Sequence, residues 1–206
     1  MSKRAPAAIA GLVCLLFASV AFGATRNGTD SGETIFGTNS ADTINAKGGF
    51  DTVFALSGDD VIRGGAGGDT IQADARCPAG TKDPGRCNQM AGSGNDRVDG
   101  NSGDDVLAGG AGTDTVNGGS GEDNIQGGPG NDTIGGGSQN DAIFGQGGND
   151  RITGGTEKDD LLGGTGNDTI NARDASRDNV DCGPGSDTAN VDRDDVTKHC
   201  ERVVKK

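Results

Sequence analysis

The chemistry of this chain rests on acidic side chains that return every nine residues. Asp42, Asp51, Asp60 and Asp69, then Asp96, Asp105, Asp114, Asp123, Asp132, Asp141, Asp150, Asp159 and Asp168, take the sixth place of successive nonapeptides, and Glu33 takes it in the first. Carboxylates are hard oxygen ligands for cations, and closely set pairs also act as acid and base in glycoside hydrolysis. Here the regular period accounts for their abundance without catalysis. His199, the only histidine, stands alone near the C-terminus and reads as a surface or capping residue. The chain is therefore read as a non-enzyme.

The elements that must position these carboxylates follow from a second column. From Gly28 to Gln72 and from Ala91 to Asn171 the units run without a frame slip, as in GGAGTDTVN (109–117) and GGPGNDTIG (127–135), fourteen in all. The eighth place is aliphatic in every unit, from Ile35 and Ile44 to Leu161 and Ile170. Such a residue between outward-facing neighbours predicts a three-residue strand with one inward side chain. The six residues before it carry Gly at places one, two and four and predict a turn using backbone conformations closed to most side chains. Strands that short persist only when copies stack on them. The expected fold is an all-β solenoid, with aliphatic stripes inside and acidic turns along its edges. Composition agrees: with 40 Gly, 31% hydrophobic residues and neither Trp nor Tyr, no broad globular core can form. A disordered polymer would not keep two columns in register.

The formal charge of −13 excludes a nucleic-acid partner, which needs clustered Lys and Arg, and points to cations. With two nonapeptides to a coil, same-edge carboxylates sit about 4.8 Å apart. Each neighbouring pair then repels by roughly 1–3.5 kcal/mol at effective dielectric constants of about 80 to 20. Cations between them relieve that repulsion and help to order Gly-rich turns that a thin apolar stripe cannot order alone. Ca²⁺ suits the pattern because it accepts six to eight oxygens in loose geometry, main-chain carbonyls included, whereas Mg²⁺ demands strict octahedral ligation. Softer metals want the Cys and His that the repeats lack.

The units resemble the hemolysin-type RTX nonapeptide GGxGxDxUx, with U a large aliphatic residue, over about two-thirds of the chain. The resemblance implies a parallel β-roll of two nonapeptides per coil, with multiple Ca²⁺ ions held between same-edge turns by main-chain carbonyls and the sixth-place Asp. Carried onto this chain, one edge holds Asp51, Asp69, Asp105, Asp123, Asp141 and Asp159. The other holds Asp42, Asp60, Asp96, Asp114, Asp132, Asp150 and Asp168. The uninterrupted run 91–171 is expected to form the best sites. The first unit, GTDSGETIF, lacks Gly at places two and four, units 37–45 and 46–54 are Gly-poor, and Gln139 and Glu157 replace the fourth-place Gly.

The flanks complete the organisation. Lys3 and Arg4 precede an apolar stretch from Ala7 to Phe22, with small Ala21 and Gly23 before the expected cut, so residues 1–23 read as a secretory signal. The remainder, 24–206, is expected to be secreted or at the cell surface. RTX proteins exported by type I systems usually lack such a signal, which implies another route here. Four cysteines then remain, an even count that reads as disulfides with three possible pairings. The short-range pairing is preferred. It joins Cys77 to Cys87, closing an inserted loop at 73–90 between roll segments 24–72 and 91–171, and Cys182 to Cys200, stapling a C-terminal cap at 172–206. That cap keeps a degraded repeat in Asp178, Val180 and Asp187. Beyond Ca²⁺, the alternative role is a surface or matrix adhesin. Ice binding is disfavoured because Arg97, Arg151 and Asp160 interrupt the seventh-place Thr column.

Overall fold

A computed structural model describes residues 23–74 and 93–206; the signal segment before Gly23 and the expected Cys77–Cys87 pair lie outside the described residues. Extended segments alternate between two parallel sheets. One has ten strands, running from Thr25–Asn27 to Arg202–Lys205, and the other has nine, running from Thr34–Phe36 to Val196–Lys198. No helix occurs among the described residues. Each strand pairs with the one two units later: Val116 aligns with Ile134, and Ile134 with Ile152. One coil is therefore two nonapeptides. The chain is a parallel β-solenoid, as the repeat pattern predicts.

The eighth-place side chains form the core. From Ile44 to Ile170 they are at most 1% exposed and join across the two sheets in one buried cluster, with Ile35 partly buried against it. Many strands run six residues where three are expected, as in Thr115–Ser120 and Thr133–Ser138. The first residues of the next unit stay extended and keep pairing, Gly119 with Gly137 and Ser120 with Ser138. The first place thus faces inward as well, which is why Ala46, Ala55 and Ala73 belong to the core.

From unit 46–54 to unit 163–171, the unbroken turns hold the left-handed region at places two and four, whereas Thr29, Ser31, Thr38 and Ser40 of the first two units do not. Gly128 and Gly130 hold φ of 123° and 152°. Where Gly is absent the geometry persists: Lys47, Leu56, Asn101 and Gln146 take φ of 78–91° at the second place, and Gln139 and Glu157 take 79° and 76° at the fourth. Each such residue costs roughly 1–2 kcal/mol, which the stacked neighbours offset.

The roll closes directly across its interruption. Ile62 aligns with Val98 and Ile71 with Leu107, both thirty-six residues apart instead of eighteen. The chain departs within a single turn. Ala73 and Asp74 donate their N–H groups to the Ala108 and Gly109 carbonyls at 3.0 and 3.2 Å, and Gly94 resumes the same turn by donating to Ala111 at 3.1 Å. Asp74 thus takes the second place of a composite turn, Gly94 the fourth and Asp96 the sixth.

The sheets do not stop at residue 171. Val180 aligns with Leu161, and Ala189 with Ile170, at nineteen-residue spacing. Val180, Cys182, Ala189 and Val191 extend the core, and the disulfide Cys182–Cys200 joins the last two coils of the nine-stranded edge.

Substitution of Gly128 by Ala should lower stability sharply, because a Cβ there runs into the Gly110 carbonyl at a left-handed φ. Gly135→Ala should be nearly silent, since its Cβ meets only the Asn117 side chain, at 3.3 Å. Urea unfolding of the two variants with Ca²⁺ present checks the contrast.

Candidate metal centre

The sixth-place carboxylates stack into two ladders. Along one, the main-chain N–H of Asp51 donates to Oδ1 of Asp69 at 2.8 Å, Asp69 to Asp105 at 2.6 Å, Asp105 to Asp123 at 2.8 Å, Asp123 to Asp141 at 2.9 Å and Asp141 to Asp159 at 2.9 Å. Along the other, Asp42 donates to Asp60 at 2.7 Å, Asp60 to Asp96 at 2.6 Å, Asp96 to Asp114 at 2.8 Å, Asp114 to Asp132 and Asp132 to Asp150 at 2.9 Å, and Asp150 to Asp168 at 2.8 Å. None of these Asp residues is more than 3% exposed. Short strands place them here because one inward aliphatic residue two places on fixes the height of each coil.

The second carboxylate oxygen is the informative one. Oδ2 is buried without a hydrogen-bond partner in every predicted site residue except Asp42. An unsatisfied buried acceptor is costly and asks for an explanation. In unit after unit this atom faces the first-place Gly of its own turn: a Cβ on Gly109 would lie 2.6 Å from Asp114 Oδ2, and one on Gly127 or Gly163 would lie 2.5 Å from Asp132 or Asp168 Oδ2. The same Cβ positions lie close to a carbonyl one coil on, 2.8 Å from the Gly127 oxygen for Gly109 and 3.0 Å from the Gly145 oxygen for Gly127. Orphaned carboxylate oxygens beside carbonyls, in a cradle that a side chain would fill, fit a hard cation such as Ca²⁺. No group of three His, Cys, Asp or Glu side chains suited to a metal occurs among the described residues. Main-chain oxygens must therefore complete any such site.

Asp42 stands apart. Its carboxylate already accepts from the Ala24 and Thr38 N–H groups and from Thr38 Oγ1. Glu33 is similarly engaged with Thr29 and is half-buried. The early turns differ in their cradles too, since Ala46 and Ala55 put a methyl where later units have Gly.

Four acids outside the predicted set, Asp178, Asp187, Asp195 and Glu201, carry the ladders on toward the C-terminus. Asp159 donates its N–H to Asp178 Oδ1 at 2.9 Å and Asp168 donates to Asp187 at 2.7 Å. Asp187 also has a buried, unpartnered Oδ2. Its unit, CGPGSDTAN, carries the motif but sits one residue out of frame, which hides it from a strict nine-residue count. Asp74 lies beside the ladders: its Oδ2 accepts from Ala111 N–H at 2.9 Å while its Oδ1 is buried and unpartnered. Only the composite turn reveals it.

Burial governs the protonation of these groups. Loss of water pushes Asp96 up to about 8, against the Asp60 N–H that lowers it, with Asp74, Asp60 and Asp114 adding repulsion. The same cause raises Asp60, Asp105, Asp132 and Asp141 to about 7 and Asp159 and Asp168 to about 6. Asp51, Asp69, Asp114, Asp123 and Asp150 are also raised, chiefly by burial.

A family model described as the RTX calcium-binding nonapeptide repeat matches residues 27–46, 36–71, 90–125, 109–143, 117–152, 135–170 and 153–189. No curated protein matches the chain.

These raised carboxyls bind protons more tightly folded than unfolded. Their proton-linked stabilisation is full below about pH 4 and is lost as pH climbs through the folded values of about 6 to 8. Cation-free protein should therefore show more β-structure by circular dichroism at pH 5 than at pH 8. Greater structure at pH 8 would contradict the electrostatic account of the ladders.

Proposed function

The chain belongs to the RTX calcium-binding nonapeptide-repeat family, and we propose that it is a secreted, non-catalytic scaffold that binds multiple Ca²⁺ ions and folds on binding them. The observation that carries this reading is the pair of carboxylate ladders with a buried, unpartnered Oδ2 at nearly every rung. When bound, Ca²⁺ supplies the positive charge and the oxygen-coordinating capacity that these rungs lack. The residues do the rest. Each Oδ1 ties its coil to the preceding one, the Oδ2 atoms of Asp69, Asp105 and the turns from 109 onward are aimed at the first-place Gly, and the aliphatic stripe holds both ladders out of water. The ligand set is Asp51, Asp60, Asp69, Asp96, Asp105, Asp114, Asp123, Asp132, Asp141, Asp150, Asp159 and Asp168. Turns with first-place Gly, at 64, at 100 and from 109 onward, have the open cradles and are the strongest of them.

Secretion is supported by the three-part N-terminal segment and by a disulfide of the kind that persists in oxidising compartments. The non-catalytic reading is supported by the periodicity, which gives each buried acid the same structural task. His199 is exposed and pairs with Asp181 at 2.7 Å, which suits a cap.

Recognition of a cell-surface or matrix component is the second reading, and one observation favours it. The outer face of the nine-stranded sheet carries stacked Phe36 and Phe54 rings 5.4 Å apart, with Val106 and Leu162 50% and 40% exposed. Ice binding draws less support, because strand register sets Val61, Arg97 and Arg151 in one column with Thr43, Thr115, Thr133 and Thr169.

Circular dichroism during a Ca²⁺ titration from chelator to about 10 mM should show a cooperative coil-to-β transition that Mg²⁺ does not produce. A β signal already complete in chelator would sink the claim of Ca²⁺-dependent folding. Asp132→Ala should shift the midpoint to higher Ca²⁺ by disturbing the rungs shared with Asp114 and Asp150. Exposed Thr133→Ala should leave it unchanged, and equal effects would count against the ligand assignment.

A further inference from the structure

A second ladder runs outside the first, in the opposite direction. At the fifth place, next to the ladder carboxylate, a side chain reaches forward to the following coil. Asn131 Oδ1 accepts from Asn149 N–H and Asn149 Oδ1 from Asn167 N–H, both at 2.7 Å, and Asn167 Oδ1 accepts from Ser186 N–H at 2.9 Å. Earlier on the same edge Asp59 Oδ1 accepts from Asn95 N–H and Asn95 Oδ1 from Thr113 N–H, both at 2.8 Å. The sixth-place Asp reaches the other way, as Asp150 Oδ1 does in accepting from Asp132 N–H at 2.9 Å. A pair such as Asn149 and Asp150 therefore grips the coil on either side of its own. Asn131, Asn149 and Asn167 are exposed, where a hydrogen bond competes with water and adds little stability by itself.

What these side chains fix is a carbonyl. The fifth-place N–H and the fourth-place C=O belong to one planar trans peptide and point in opposite directions. Tying the N–H back to the preceding coil turns the oxygen toward the following one. A Cβ on Gly166 would run into the Gly148 oxygen, and one on Gly185 into the Gly166 oxygen. The Gly185 position also lies 2.8 Å from Asp187 Oδ1, and the Gly94 position, against the Gly58 oxygen, lies 3.0 Å from Asp96 Oδ1. Fourth-place carbonyl and sixth-place carboxylate thus open on the same space. Glycine at the fourth place, with Gly148 at φ 127° and Gly166 at 132°, leaves this peptide many orientations, and the fifth-place acceptor selects one. Resting on the Ca²⁺-binding reading above, we propose that Asn95, Asn131, Asn149 and Asn167 are positioning residues for Ca²⁺, each aiming the fourth-place carbonyl of the next coil as a ligand oxygen beside the carboxylate ladder. Main-chain oxygens complete the sites, and an exposed, uncharged side chain governs metal affinity by orienting them.

The test uses the full chain labelled with ¹³C-carbonyl Gly and ¹⁵N-Asn, in which only Gly–Asn peptides join the two labels, Gly94–Asn95 and Gly166–Asn167 among them. In Ca²⁺-saturated Asn149→Ala the Gly166 carbonyl resonance should move upfield of its wild-type position while that of Gly94 stays. Saturation at Gly166 should need about ten-fold more Ca²⁺ than in wild type. Asn149→Asp keeps the acceptor, as Asp59 does natively, and should restore both readings. A raised Ca²⁺ requirement with the Gly166 resonance unmoved means that Asn149 only supports the fold; that result, or an unchanged requirement, overturns the proposal and leaves the Ca²⁺ reading standing. Absence of any Ca²⁺ response in wild type overturns both. Should Asn149→Ala not fold, exchange of Ca²⁺ for La³⁺ on the wild type decides. The Gly148 and Gly166 carbonyl resonances must then move, and their silence overturns the proposal.

Discussion

Each rung of this roll asks one carboxylate to do two things. Its Oδ1 must accept the main-chain N–H of the preceding coil, as Asp132 does for Asp114, and its Oδ2 is thereby left buried beside a glycine with no donor. The first contact cannot be made without the second exposure to low dielectric. Stacking coils therefore means stacking charge, and the raised pKa of residue after residue along both ladders records that cost. The Gly at the first place, the left-handed turn and the lone aliphatic side chain all serve to bring these carboxylates to a common height. A cation or a proton is what the arrangement lacks.

Much of this is written openly in the sequence. The acidic and aliphatic columns are enough to give the two-unit coil, the two edges and the buried stripe, because a solenoid contacts only its neighbours and repeats its local rules at every step. What is hidden has a common cause: features that arise where the period fails. Asp178 and Asp187 read as a degraded repeat, but one extra residue puts them out of frame, and the turn ARDASRD before Asp178 has no glycine, so their place on the ladders is not legible. Asp74 reads as part of an insertion, yet it belongs to the roll, since only the pairing of Ala73 and Gly94 with the 108–111 turn shows which residues share a coil. Strand length also exceeds what composition suggests. Pairing of Gly with Gly extends strands into segments whose composition signals a turn.

The C-terminal coils show how far the rules bend before they break. Register slips from eighteen to nineteen, then to seventeen and fourteen residues, yet both ladders continue, through Asp178 to Asp195 and through Asp187 to Glu201. Ala189 replaces a bulky aliphatic, aligned with Ile170, and a covalent link between Cys182 and Cys200 stands in for the packing that is lost. The cap is thus a tapering of the roll itself.

The split turn has a bearing on how such a chain can change over generations. Asp74 and Gly94 are anchored to the same neighbouring turn, so the exit and return of the polypeptide are fixed a few residues' width apart whatever lies between them. The entropy of closing an excursion grows only logarithmically with its length. Lineages can therefore lengthen, trim or exchange the intervening segment while the rungs on either side keep their register. The scaffold is insulated from the history of its insert, and novelty can accumulate there without being tested against the fold.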